Sequence, residues 1–146
     1  MCWVWITKKQ ALGRSCGGFA TKIYAKVNAL GNPLKFDFTP GQKSDISVAT
    51  KLLEKVSKAY VVCDREYDFD NFIEQIESLC CTPVIPGRRN RKVKINYDTH
   101  IYKERNIVEC FFSKIKYFRR IFSRFEKSLL SFKAFVCFVG SLVWLR

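Results

Sequence analysis

The run Ala59-Tyr-Val-Val-Cys63 is apolar without alternation and stands between Lys58 and Asp64. Such a run describes a strand buried on both faces, which points to a sheet covered by helices. It ends on Asp64, and a carboxylate at the carboxyl end of a buried strand is held rigidly at the rim of a crevice where a ligand or metal can bind. The same residue could equally begin the turn before the next helix, and the residues alone leave both readings open.

The rest of the chain fits around that strand. Thr21 to Asn28 and Leu34 to Phe38 alternate apolar and polar residues about the turn Asn28-Ala-Leu-Gly-Asn-Pro33, which predicts a hairpin closed by Gly31 and Pro33. Ahead of it, Gln10 to Ala20 reads as a glycine-hinged loop, and Thr39-Pro-Gly-Gln42 ends the second strand. Ser44 or Asp45 can cap a helix running to about Val56, with Ile46, Ala49, Leu52, Leu53 and Val56 on one face. A second helix follows over about Phe69 to Cys80, then a short proline-bracketed strand, Thr82 to Pro86. With 146 residues the chain is long enough to bury one core. We expect one α/β domain.

A long helix is predicted from a cap at Asp98 or Thr99 to about Phe125. At about 100° per residue, Tyr102, Arg105, Glu109 and Lys116 fall within roughly a 60° arc. Ile107, Val108, Phe111, Phe112, Ile115, Phe118 and Phe122 form an apolar stripe beside them. One carboxylate among cations at the edge of a buried stripe suits an anionic ligand held with a metal. A last helix is expected from Lys127 to Trp144.

The charge balance adds a partner class. There are 26 Lys and Arg against 13 Asp and Glu, a formal charge of +13. From Gly87 to Arg124 twelve cations face Asp98, Glu104 and Glu109. Polyanions are the natural partners of such a surface. Gly87-Arg-Arg-Asn-Arg-Lys-Val-Lys94 reads as a loop too basic to pack, lying against phosphates through Arg88, Arg89, Arg91 and Lys92. Seven cysteines with no Cys-x2-Cys pair and one histidine, His100, support neither a zinc site nor a disulfide framework, and most of the cysteines read as reduced core residues. Leu129 to Leu145, interrupted by Lys133 and Gly140, reads as a terminal helix of the core and not as a membrane span.

Tyr102-x2-Arg105-x3-Glu109-x6-Lys116 matches without a gap the signature of a branch of bacterial insertion-sequence transposases. With Gly13 to Ile23, Asn28 to Leu34, Thr39 to Gln42, Asp64 to Asp68 and Pro83 to Lys92, residues 10–146 resemble the catalytic domain of DDE transposases of the insertion-sequence-five group. The resemblance implies a ribonuclease-H-like (integrase-type) mixed sheet with flanking helices. It implies cutting and joining of transposon-end DNA by two-metal phosphoryl transfer, with Mg2+ or Mn2+ held by three carboxylates. Asp64 would be the second of these and Glu109 the third, both catalytic and both metal ligands. Tyr102, Arg105 and Lys116 would grip DNA phosphates. The implied partner is double-stranded DNA bearing the terminal inverted repeats, bound by a homodimer, in the bacterial cytoplasm on the nucleoid.

The first acid of the resemblance has no counterpart. Met1 to Lys9 holds no carboxylate, while Asp37 and Asp45 fall on a later strand and at a helix start. Residues 1–9 therefore read as an atypical peptide, and the catalytic domain as N-terminally truncated, lacking the first strand with its acid. The expectation is a transposase fragment, one part of a frameshifted pair or a remnant, inactive alone. The alternative is a non-catalytic basic module that binds transposon ends. Two departures are smaller: Glu66 stands where the family has glycine, predicting strain if that turn needs positive φ, and Asn28 stands where it has an acid.

Overall fold

The computed structural model describes residues 2–9, 21–40, 45–92, 95–123, 126 and 128–145. The expected loop at Gln10 to Ala20, the end of the hairpin at Gly41 and Gln42, and the Ser44 cap lie outside them. So do Lys94 and Arg124 of the basic stretch.

Five strands form one sheet in the order β3-β2-β1-β4-β5. They are β1 (Cys2–Lys9), β2 (Thr21–Val27), β3 (Pro33–Pro40), β4 (Ala59–Cys63) and β5 (Thr82–Val84). β1 pairs antiparallel with β2 and parallel with β4. β2 with β3 is the predicted hairpin, and β4 with β5 is parallel.

The position of β1 corrects the expectation of a missing first strand. Cys2–Lys9 is the middle strand of the sheet, and both of its neighbours hydrogen-bond to it. The physical reason is visible in the sequence. Met1 to Ile6 is rich in aromatic and β-branched residues, a composition that suits a central strand. The tryptophans that make this stretch look atypical suit a strand, and strand formation does not require an acid.

Helices cover both faces. α1 (Asp45–Leu52) and α2 (Asp70–Ser78) pack on one side, where Val48, Leu52, Phe72 and Ile76 meet Tyr24, Val61 and Cys63. α3 (Thr99–Lys103), α4 (Asn106–Lys116), α5 (Arg119–Ser123) and α6 (Leu129–Trp144) follow in order. On the second side Val108, Phe111, Ile115, Phe132, Val136 and Val139 pack on Ala25, Val27, Val62 and Val84. Successive residues of β4 thus serve opposite cores, as the unalternating run requires.

The hairpin turn is fixed by Asn28. Its Oδ1 accepts the N–H groups of Leu30 at 3.0 Å and Asn32 at 2.9 Å, and Gly31 takes φ +83°. Asn28 is thus a turn-former. α1 is shorter than predicted, ending at Leu52, because the chain turns through Lys55 at φ 60°. Val56 still reaches the core.

The long signature helix is broken into three. Glu104 and Arg105 donate to carbonyls three residues back, at Ile101 and Tyr102, and Phe118 donates to Ile115. Such tight turns overwind the chain and separate α3, α4 and α5. α6 packs on the hairpin, with the Trp144 indole N–H donating to the Pro33 carbonyl at 2.8 Å. Among the described residues no helix is long and apolar enough to cross a membrane. Cys63 and Cys81 are buried, but Cys80, Cys110 and Cys137 are exposed, contrary to the core reading. The last two sit one position off the buried residues Phe111 and Val136.

Candidate functional site

Asp64 follows β4 directly and begins the turn before the next helix. Its Oδ1 accepts the Arg65 N–H at 2.8 Å, capping a short 3-10 turn over Arg65–Tyr67. Its other oxygen, Oδ2, faces Arg105 Nη1 at 3.8 Å. Glu66 lies inside that turn, and the positive-φ residues other than glycine are Lys55, Lys58 and Cys80 among those described. The strain expected at Glu66 is therefore not present.

The second carboxylate comes from α4. Buried Val108, Phe111, Phe112 and Ile115 seat this helix on the sheet, so Glu109 stands at the rim of its buried face. Arg105 Nη2 is 3.0 Å from Glu109 Oε1, four residues on. A single guanidinium thus bridges the acid from the strand end and the acid from the helix.

Tyr102 completes the cluster. Its ring lies 5.7 Å from the Arg105 guanidinium and 5.5 Å, edge to face, from the ring of Tyr97. Burial raises the phenol pKa, Arg105 opposes the shift and Asp64 adds to it. Asp98 orients the approach to the site by capping α3, its Oδ1 accepting from His100 and Ile101 N–H at 2.8 and 3.1 Å. Lys116 is exposed at the far end of α4.

The basic loop does pack, against expectation. Asp68 is 4% exposed. Its Oδ2 accepts the Arg88 N–H at 2.7 Å and its Oδ1 pairs with Arg91 Nη1 at 2.6 Å. Arg91 also pairs with Asp70. Arg88 donates from Nη2 to the Glu66 carbonyl at 2.9 Å and covers the Phe69 ring at 4.0 Å. A buried carboxylate overrides the loop's charge, because leaving Asp68 unpaired would cost more than ordering two arginines. Arg89 and Lys92 remain exposed. Sequence reasoning missed Asp68, whose one signal is an acid set between Tyr67 and Phe69 ahead of an arginine-rich loop.

The fold and the site together define an α/β protein in which a carboxylate at the end of a buried strand, Asp64, meets a carboxylate on a basic helix, Glu109. Comparison with known proteins places it more closely. The family described as Transposase DDE domain matches residues 5–143. A Brucella ovis protein named for the transposase of insertion sequence element IS6501 is 39% identical over 128 residues, covering 86% of this chain and 98% of the relative. Among solved structures, the large terminase nuclease from thermophilic phage G20c, crystallised with bound zinc, aligns with a TM-score of 0.34 at 16% identity. That alignment covers 76% of this chain and 58% of the nuclease. The chain belongs to the DDE transposase family.

The family works on DNA and uses divalent metal. Among the described residues two carboxylates, Asp64 and Glu109, meet at this site, short of the three that would hold a metal pair. Both are already paired with the Arg105 guanidinium. Among the described residues no three of His, Cys, Asp or Glu gather in one place.

Proposed function

We propose that this chain is a ribonuclease-H-like DNA-binding transposase domain of the insertion-sequence-five group that engages transposon terminal repeats without cutting them unaided. The strand order, with a central strand antiparallel to one neighbour and parallel to the other, supports the fold assignment. The observation that carries the functional reading is the cluster of Asp64, Tyr102, Arg105 and Glu109.

In this reading Arg105 and Tyr102 lie where a DNA phosphate would approach. Exposed Lys103, Lys114, Lys116 and Arg119 extend the basic face along α3 to α5. Arg89 and Lys92 add phosphate contacts from the loop. Arg88 and Arg91 act from behind, holding the loop on Asp68 and on the turn that carries Asp64. Two copies on paired DNA ends belong to the same proposal, with Phe122, Leu130 and Phe138 exposed along α5 and α6. Such a role belongs on the bacterial nucleoid.

Duplex binding measured as a function of salt tests the reading. Affinity should fall steeply with salt and be indifferent to Mg2+, since phosphate contacts release counterions. Binding that is insensitive to salt, or that requires Mg2+, contradicts it.

A further inference from the structure

We infer that Tyr97, which lies outside the helix signature, is the positioning residue of this site: its ring holds the Tyr102 phenol beside Arg105, and it acts on DNA through Tyr102 alone. The inference rests on the DNA-binding reading above and adds to it the residue that sets the direction of one contact.

The start of α3 carries the geometry. Asp98 caps this helix, so Tyr97 is the position just before the cap and Tyr102 is the fourth residue of the helix. An apolar pair at those two positions packs together and fixes the angle at which the chain enters a helix. Here both members are aromatic, with ring centroids 5.5 Å apart and planes at 75°. The Tyr102 N–H donates to the Asp98 carbonyl at 3.0 Å and closes the turn between them.

α3 has little else to orient it. The helix is five residues long, Thr99–Lys103, and contains no buried residue. So short a helix does not hold its own shape in water, and what its side chains touch sets their direction. Tyr97, Ile101 and Tyr102 are partly buried against the core beneath α4. Within the site the Tyr102 ring meets the ring of Tyr97 and the guanidinium of Arg105, 5.7 Å from its centroid. Arg105 is shared with Asp64 and Glu109, whereas Tyr97 is seated on the core. Tyr97 is therefore the fixed member of the trio, and an edge-to-face contact is directional enough to pass that fixity to Tyr102. Burial is the first cause of the raised Tyr102 pKa, and Tyr97 acts in the same direction.

Equilibrium binding of the full chain to a duplex carrying its element's terminal repeat, with thermal unfolding of every variant, tests this. Tyr97→Phe should bind as the native chain does. Tyr97→Ala should bind about fivefold more weakly, the scale of one lost aromatic pair. On a Tyr102→Ala background the same change should cost nothing further. Equal losses on both backgrounds overturn the inference, because Tyr97 would then meet DNA directly or weaken the fold as a whole. A folded Tyr97→Ala variant of native affinity overturns it too. If that variant does not fold, Tyr97→Leu, which keeps apolar bulk without a ring, takes its place with the same expectations.

Ultraviolet titration without DNA is the second readout. The late ionisation of Tyr102, identified by its loss in Tyr102→Phe, should move towards the ordinary range in Tyr97→Ala and stay late in Tyr97→Phe. If the native chain does not bind the duplex, the DNA-binding reading fails and the titration alone decides here. Unshifted ionisation in Tyr97→Ala then overturns the inference.

Discussion

Arg105 Nη2 lies 3.0 Å from Glu109 Oε1, and that contact turns a catalytic-looking carboxylate into half of an ion pair. The same guanidinium reaches Asp64 at 3.8 Å, so the acids from β4 and α4 share one cation. Arg105 is thus the residue on which the electrostatics of the site depend.

Arg105→Gln should cost little stability. Arg105, Asp64 and Glu109 are 30%, 42% and 44% exposed, and solvent screens pairs of this kind to less than about 1 kcal/mol. Urea unfolding measures the change. A loss above about 2 kcal/mol would mean that the guanidinium holds the fold together and not only the site.

Tyr102 reports on the same cluster. Its pKa is raised above the usual value of about 10, by burial first, and Arg105 pulls it back down. The folded phenol therefore keeps its proton at a pH where the unfolded chain loses it. The stability this contributes is present below the unfolded pKa and is lost as pH rises through the folded value. Ultraviolet titration should find Tyr102 ionising late, and later still in Arg105→Gln. Earlier ionisation in that variant contradicts the arrangement.

The basic loop should divide into two classes. Arg89→Ala with Lys92→Ala should leave stability unchanged and flatten the salt dependence of DNA binding by about two phosphate contacts. Asp68→Asn should instead destabilise the fold by about 2–4 kcal/mol, since it strips the charge from a buried partner of Arg91. Thermal unfolding beside the binding assay separates them. Equal effects in both assays for all three positions would contradict the division.

The packing of α6 on the hairpin has its own marker. A Cβ at Gly140 would stand 2.8 Å from Phe36 Cε2 and 3.1 Å from Cζ. Gly140→Ala should destabilise by about 1–3 kcal/mol through overpacking, read from chemical denaturation. A neutral result would show that the ring gives way easily.

Much of this molecule is legible before any coordinates. Ala59–Cys63, the hairpin at Asn28 to Pro33 and the apolar stripe from Val108 to Ile115 follow from local periodicity and turn chemistry, which depend on near neighbours in sequence. The same local rules put Asp64 at a strand end and Glu109 on the rim of a helix. What escaped depends on distant partners. The role of Asp68 exists only because Arg88 and Arg91 return to it some twenty residues later. β1 is hidden for a different reason: it carries no acid to mark it, and the strand is defined by apolar residues and backbone pairing. The breaks around α4 come from three-residue turns that a 100° projection cannot register.

The most direct test of the account is incubation of the purified chain with Mg2+ and a duplex carrying its element's own terminal repeat, followed by strand-resolved electrophoresis. The account predicts a retained complex in which both strands stay intact. Magnesium-dependent nicking at the repeat end, abolished by Glu109→Gln, would contradict it.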